Sequence, residues 1–242
     1  SQGATDDQVI SVTIEGINDA PNFVGAAPAE TLDETDASLT TSGSLTVRDR
    51  DLSDSVTITT SLMLSGSTNG RTDADLLAML SVSPMSDAAD PGVDNDLEWS
   101  FDSGSDSFDD LVAGDNLTLT YTVTATDTQG ASDDQTITIT ITGTNDAPVV
   151  ESELSAAADE DTALFTVDLL AGASDIDGDT LTVTEVSGLV DGMSVTGSTL
   201  SVDPADAQFQ SLADGQTEAV AVSYTIDDGN GGTVEQTATI TV

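Results

Sequence analysis

Hydrophobic and polar residues alternate with a period of two along much of the chain, which predicts β-strands rather than helices. The longest alternating runs are Thr118–Thr126 and Gln135–Thr142, and Asp127–Asp134 lies between them as a turn-forming segment. Successive side chains of a strand point to opposite faces, so this pair predicts a hairpin with one apolar inner face. The predicted inner side chains are Leu119, Tyr121, Val123, Ile137, Ile139 and Ile141.

A second hairpin is predicted near the end of the sequence, where Ala219–Ile226 and Thr233–Val242 flank a turn at Asp227–Gly232. A short helix is predicted at Thr72–Leu80, where a threonine cap precedes leucines at helical spacing. Short strands with regular turns predict an all-β fold, in which each complete module is an Ig-like sandwich of two antiparallel sheets. The predicted core anchors are Trp99, Phe101, Phe108, Tyr121 and Phe209.

The tetrapeptide Asn-Asp-Ala-Pro occurs at Asn18–Pro21 and again at Asn145–Pro148, 127 positions later. The residues before it repeat at the same spacing, since Gln2-Gly3-Ala4 corresponds to Gln129-Gly130-Ala131. A constant spacing without gaps indicates tandem modules in a linear array. We predict three parts: residues 1–21 are the final strand and linker of a preceding module, residues 22–148 form a middle module, and residues 149–242 form a last module.

The middle module is longer than the last module because it has an insertion around residues 62–97. The insertion contains the predicted helix, Arg71 and a predicted polar loop at Ala88–Asp96. This segment motivates an alternative function, in which the middle module is itself an adhesin domain that binds a glycan or a peptide.

The chain has 45 Asp and Glu residues, three Arg residues and no Lys, His or Cys, which gives a formal net charge of −42. Such a charge excludes ordinary nucleic-acid binding and disfavours docking on an anionic membrane surface. No apolar run is long enough for a transmembrane helix. Without Cys and His there are no disulfides, thiolate metal sites or Ser-His-Asp arrangements, so we predict no enzyme. Ser1 opens no signal peptide, so we expect a segment from inside a longer polypeptide.

The acidic residues cluster in loops that recur in register between the two complete modules. Asp33-Glu34 corresponds to Asp159-Glu160, and Asp49-x-Asp51 corresponds to Asp175-x-Asp177. Ca²⁺ needs six to eight oxygen ligands, which several converging loops supply better than one. An EF-hand is excluded because Thr180 stands where its loop requires glycine. Salt adaptation without bound metal is an alternative, but it predicts acids spread evenly over strands and loops. Isolated aspartates in turns can also simply cap backbone N–H groups.

Three longer motifs carry a resemblance to a known family. They are Phe108-Asp-Asp-Leu-Val-Ala-Gly-Asp115, Ile139-Thr-Ile-Thr-Gly-Thr-Asn-Asp-Ala-Pro148 and Asp168-Leu-Leu-Ala-Gly-Ala-Ser-Asp-Ile-Asp-Gly-Asp179. With these motifs the chain resembles the bacterial VCBS-type and cadherin-like repeats of large RTX-type surface adhesins. The resemblance covers nearly the whole chain, except the segment around residues 62–97.

The resemblance implies that Ca²⁺ binds at the junctions between modules. The implied ligands at the junction of the middle and last modules are Glu34, Asp110, Asn145, Asp146, Asp175, Asp177, Asp179 and Asp228. Those at the first junction are Asn18, Asp19, Asp49, Asp51 and Asp127, and this site is expected to be incomplete because its upper module is missing. The chain departs from the cadherin pattern at Asp109-Asp110, which replaces Asp-Arg-Glu.

The resemblance implies a calcium-stiffened spacer in a bacterial surface adhesin, with a role in cell adhesion and biofilm formation. We therefore expect an extracellular location at the cell surface. The expected partners are neighbouring modules of the same long chain, with a glycan or protein ligand only under the alternative function. Neither nucleic-acid binding nor membrane insertion is expected.

Overall fold

A computed structural model of the protein describes residues 2–3, 6–51, 55–84, 86–88 and 95–242. The described residues bury two separate hydrophobic cores. The first is built from residues between Phe23 and Ile141, and the second from residues between Leu169 and Val242. Each core therefore lies within one of the two predicted modules.

The middle module is a sandwich of a four-stranded and a five-stranded sheet. Its elements are β1 (Asn22–Val24), β2 (Ala29–Asp33), β3 (Thr40–Arg48), β4 (Ser55–Ser65), α1 (Asp73–Ala78), β5 (Leu80–Ser83), β6 (Ser86–Ala88), β7 (Asn95–Asp102), β8 (Asn116–Thr126) and β9 (Ser132–Thr142). The strand order is β1-β3-β7-β5 in one sheet and β2-β9-β8-β4-β6 in the other.

The last module repeats this plan with shorter strands. Its strands are β10 (Val149–Val150), β11 (Leu154–Ala157), β12 (Phe165–Asp168), β13 (Ala173–Ser174), β14 (Thr182–Ser187), β15 (Met193–Thr196), β16 (Thr199–Val202), β17 (Ala219–Asp227) and β18 (Thr233–Thr241). The main sheet has the order β11-β18-β17-β14, and β12-β16-β15 and β10-β13 form smaller sheets.

The all-β prediction is confirmed, but the prediction of purely antiparallel sheets is wrong. Strand β2 pairs with β9 in parallel, and β11 pairs with β18 in parallel. The reason is that each module's opening segment changes sheets. Strand β1 first pairs with β3, and the chain then crosses to β9, which runs in the same direction as β2.

Both predicted hairpins are confirmed as β8·β9 and β17·β18. Alternation places one face of each strand in the core, and all six predicted inner side chains of the first hairpin are fully buried. Tyr121 is among them, and its hydroxyl donates to the carbonyl of Leu76 at 2.8 Å. The five predicted core anchors are likewise buried.

The predicted helix is present as α1. Thr72 caps it by accepting a hydrogen bond from the N–H of Asp75 at 3.2 Å, and Leu76 packs into the core. Most of the predicted polar loop, residues 89–94, lies outside the described residues. Its two ends belong to β6 and β7 rather than to a loop.

The assignment of residues 1–21 as the final strand and linker of a preceding module stays a prediction. Residues 6–21 have no regular secondary structure, although their alternating pattern matches β9. A strand is stabilised by its neighbours in a sheet, and no described strand pairs with this segment. Its apolar side chains are consequently exposed; they are Val9, Ile10, Val12, Ile14 and Ile17.

Candidate metal centre

Glu34 directly follows β2 and is buried at the end of the middle module, with 1% of its surface exposed. Its N–H donates to the carbonyl of Thr142 at 2.9 Å, which continues the β2·β9 pairing. Its Oε1 accepts hydrogen bonds from the N–H (2.7 Å) and the hydroxyl of Thr144. Its Oε2 is buried without a hydrogen-bond partner. A bare buried carboxylate oxygen is unfavourable, as expected where a cation completes the site.

Two further carboxylates meet Glu34. Asp109 lies in the loop before β8, and Asp146 lies in the linker after β9. Carboxylate oxygens of Glu34, Asp109 and Asp146 all lie within 4.8 Å of one another. We call these three residues the junction group.

A second group of carboxylates belongs to the last module. It consists of Asp175 and Asp179, after β13, and Asp228, after β17, and their oxygens also lie within 4.8 Å of one another. Asp175 Oδ1 accepts hydrogen bonds from the N–H groups of Asp177 (3.0 Å) and Asp179 (3.3 Å), which orients both loop residues. We call Asp175, Asp179 and Asp228 the last-module group.

The linker contacts both groups. Asn145 Nδ2 donates to Asp228 Oδ2 at 2.8 Å, and the N–H of Asp146 donates to Asp177 Oδ2 at 2.8 Å. Asp146 also contributes its carboxylate to the junction group. The linker therefore connects the middle module's Glu34 with the last module's acidic loops through three consecutive residues, Thr144 to Asp146.

Among the described residues, six buried side-chain oxygens at this junction have no hydrogen-bond partner. They are Glu34 Oε2, Asp109 Oδ1, Asn145 Oδ1, Asp146 Oδ2, Asp175 Oδ2 and Asp177 Oδ1. All are carboxylate or amide oxygens, which Ca²⁺ prefers, and the chain has no cysteine thiolate or imidazole for a softer metal. The donor set thus fits calcium, which Glu34, Asp109 and Asp146 would hold on one side and Asp175, Asp179 and Asp228 on the other.

The pKa values at the junction reflect crowded negative charge. Burial, together with the negative charges of Glu34, Asp177, Asp109 and Asp36, raises the pKa of Asp146 to about 6. Burial also raises the pKa of Asp177, although the N–H of Asp146 opposes this. A bound cation would favour the ionised form of both groups.

Asp228 behaves differently from Asp146. Burial acts to raise its pKa, but hydrogen bonds from Asn145 and from the backbone outweigh burial and lower the pKa. Three N–H groups of the β17·β18 turn donate to its Oδ1, and they belong to Asn230, Gly231 and Gly232. Asp228 is therefore held as a carboxylate before any cation binds.

The first junction repeats the linker's two bonds to the following module. Asn18 Nδ2 donates to Asp127 Oδ2 at 2.8 Å, and the N–H of Asp19 donates to Asp51 Oδ2 at 2.6 Å. The N–H of Asp51 donates to Asp49 Oδ1 at 3.0 Å, as Asp177 does to Asp175. Neither carboxylate group found among the described residues lies at this junction.

Asp110, which the resemblance implied as a ligand, lies elsewhere. Its Oδ1 forms an ion pair with Arg71 Nη2 at 2.6 Å, and its neighbour Asp109 takes the place beside Glu34. Phe108, directly before the two aspartates, has a φ of 67°, and Asp110 is held by Arg71 and by Asn69 on the side of the insertion. No sequence pattern distinguishes Asp109 from Asp110. The sequence signals only that Arg71, one of three basic residues, needs acidic partners.

Residues 144–242 match a family model described as a cadherin-like domain. No curated protein sequence matches the chain. The extracellular cadherin domains 1–5 of protocadherin gamma B2 superpose with a TM-score of 0.50 and 13% identity, over 93% of this chain and 40% of that chain. At this identity the likeness shows the fold alone. The last module has a cadherin-like fold.

Two further solved structures are similar to this chain at lower TM-scores. The human desmocollin-1 ectodomain has 13% identity and a TM-score of 0.39, over 91% of this chain and 40% of that chain. Drosophila N-cadherin EC1-4 has 16% identity and a TM-score of 0.31, over 93% of this chain and 51% of that chain. The family match indicates an adhesion-type module and no catalytic family. Throughout the described ranges, no helix has the length and hydropathy needed to span a bilayer.

Proposed function

We propose that this chain is a calcium-stiffened spacer segment of a large bacterial surface adhesin, located outside the cell. The observation that carries the proposal is the linker, whose residues bond to Glu34 on one side and to Asp228 and Asp177 on the other. The bare buried oxygens around it need a cation to balance their charge. The bacterial origin rests on the sequence motifs that resemble VCBS-type and cadherin-like repeats of RTX-type adhesins.

The mechanism is linkage between ion binding and module alignment. An ion that takes ligands from both modules binds the aligned arrangement better than a bent one, so calcium shifts the population towards a rod. Extracellular modules typically bind Ca²⁺ with dissociation constants of about 10⁻⁴–10⁻³ M. At a hundred times that concentration, binding stabilises the folded state by about 2.7 kcal/mol per site.

The test is small-angle scattering and calorimetry of the chain in calcium and in chelator. We expect calcium to lengthen the particle, narrow its size distribution and raise its melting temperature. The double variant Asp175→Ala with Asp177→Ala should remove most of this response. Its matched control is Asp49→Ala with Asp51→Ala at the first junction, where the unmutated chain makes the same bond but the described residues form no group of three carboxylates. This control should leave the calcium response intact. Equal dimensions and melting temperatures with and without calcium would overturn the proposal.

Residues 6–21 fit the same picture as the final strand and linker of a preceding module. Ile10, Val12 and Ile14 stand 127 positions before Ile137, Ile139 and Ile141, which are fully buried in β9. The exposed segment thus has the apolar face that β9 uses to complete its sheet. A β8-like neighbour would supply the missing pairing.

A fusion tests this assignment directly. Placing a second copy of residues 22–128 ahead of residue 2 lets residues 2–21 take the place of 129–148. We expect amide hydrogen exchange at residues 9–14 to slow to the level of residues 136–141 in β9. Unchanged fast exchange in a fusion whose added copy has folded would contradict the assignment.

The alternative of a ligand-binding middle module receives no support from the described part of the insertion. Arg71 is engaged by Asp106 and Asp110, and Leu76 is buried in the core. Arg71 and the helix of the insertion therefore stabilise the module's own structure.

A further inference from the structure

Arg71, which belongs to the insertion, forms ion pairs with the loop that carries Asp109. Its Nε lies 2.5 Å from Asp106 Oδ2, and its Nη2 lies 2.7 Å from Asp106 Oδ1 and 2.6 Å from Asp110 Oδ1. Nη1 donates to Asp110 Oδ2 and to the carbonyl of Thr68, both at 3.2 Å. One guanidinium therefore forks onto two carboxylates, a geometry that fixes direction as well as charge.

The ring of Phe108 makes a cation–π contact with Arg71. The guanidinium carbon of Arg71 lies 4.3 Å from the ring centroid, and the ring is fully buried. Asn69, also from the insertion, donates its Nδ2 to the carbonyl of Asp110 at 2.6 Å. The loop is thus held on both sides of Asp109, while Asp109 itself keeps a bare buried oxygen within the junction group.

The last module provides an internal comparison. Phe209 and Leu212 stand 101 positions after Phe108 and Leu111, so the two loops correspond. The three aspartates of the middle module's loop are absent there: Asp106, Asp109 and Asp110 are replaced by Ala207, Gln210 and Ser211. The last module also lacks the insertion that supplies Arg71. Arg71 and the three aspartates thus occur together in the middle module and are absent together from the last module.

We propose that Arg71 is a positioning residue for the junction site, which holds Asp109 towards Glu34 and Asp146. The inference rests on the proposed calcium function. Glu34, nearly fully buried and with a bare oxygen, independently marks this place as a cation site. The insertion's role is then to orient a ligand of the metal site rather than to bind a separate ligand.

The sign of the effect distinguishes positioning from simple electrostatics. Removing a positive charge near a cation site should tighten calcium binding if only Coulomb attraction matters. Loss of a positioning contact should weaken it, typically about tenfold or more. We therefore expect Arg71→Met to weaken calcium binding about tenfold in calorimetric titration with Ca²⁺ alone. Arg50→Met removes the same charge elsewhere and should leave binding unchanged or slightly tighter.

A double-mutant cycle identifies the residue through which Arg71 acts. Asp109→Asn should weaken calcium binding, and adding Arg71→Met to it should weaken binding little further, because Asp109 no longer needs positioning. If Arg71→Met does not fold, Arg71→Lys keeps the charge but cannot form the fork, and it should also weaken binding. Wild-type affinity in a folded Arg71 variant, or additive effects in the cycle, would overturn the inference. Absence of calcium binding by the wild-type chain would instead overturn the proposed function.

Discussion

At the scale of single residues, the linker uses asparagine where a second acid would fail. Asn145 Nδ2 donates a hydrogen bond to Asp228 Oδ2, which stabilises that carboxylate. The Oδ1 of Asn145 has no hydrogen-bond partner and stays available as a metal ligand. An aspartate has no donor and would bring like charges together. Donor and ligand atoms on one side chain explain why Asn precedes Asp in both linkers.

Asn145→Asp should therefore destabilise the calcium-free protein. Losing a hydrogen bond to a charged group costs about 1.5–3 kcal/mol, and the added charge next to Asp228 increases the loss. Chemical denaturation in chelator measures the difference, and calcium should reduce it because a cation attracts both carboxylates. Equal stability of the variant and the wild type in chelator would contradict this account.

Asp106 is expected to make a pH-dependent contribution to the stability of the fold. The hydrogen bond from Arg71 holds the pKa of Asp106 below its ordinary value, against the opposing effect of burial. A lowered folded pKa means that the pair stabilises the fold fully above about pH 4 and loses this effect as the pH falls further. Asp106→Asn should be less stable than the wild type at neutral pH, and this gap should narrow below pH 4 in urea denaturation. A gap that is independent of pH would argue against the ion pair.

Sequence reasoning located most of the junction's residues because repeats preserve their spacing. The two linkers and the Asp-x-Asp loops stand in register, so Asn145, Asp146 and Asp177 could be named in advance. Asp109 could not, because its orientation depends on the positive φ of Phe108 and on Arg71, which is 38 positions away in sequence. The insertion has no counterpart in the other module, so its contacts cannot be inferred from the repeat spacing.

At the scale of elements, alternation predicted the two long hairpins but not which segments find partners. Strands β8 and β9 bury their faces against the core, as their pattern requires. Residues 6–14 carry the same pattern and remain unpaired. The parallel pairing of β2 was equally hidden, because a five-residue strand has too little pattern to specify direction. Local pattern sets the face of a strand, and tertiary contacts decide its neighbour.

Gly143, directly after β9, sets the linker's approach to the Asp109 loop. A Cβ there would lie 2.2 Å from the carbonyl oxygen of Leu111 and 2.4 Å from that of Val112, so the backbone would have to move. We expect Gly143→Ala to shift the linker, weaken calcium binding and lower the melting temperature in calcium.

The chain supplies the matched control for this change. Gly16 stands at the same position of the first linker, where a Cβ would meet nothing within 4 Å. Gly16→Ala should therefore leave calcium affinity and melting temperature at wild-type values. Indistinguishable behaviour of the two alanine variants in calorimetry would contradict the proposed contact.

At the scale of the whole molecule, a net charge of −42 opposes compaction. Raising the ionic strength from about 0.01 M to about 0.15 M shortens the screening length from roughly 30 Å to roughly 8 Å. We expect NaCl to raise the melting temperature in chelator over this range. Calcium should act at much lower concentration than its ionic strength explains, and a calcium effect matched by NaCl of equal ionic strength would indicate screening alone.

The parallel pairs β2·β9 and β11·β18 have a mechanical consequence. In each module the chain enters near one end of the ladder and leaves from the other, because the first and final strands of the pair run in the same direction. Tension on the two ends therefore pulls these strands past each other, and the ladder's hydrogen bonds share the force at once instead of opening in turn. Each module should resist extension up to a threshold and then yield in a single step.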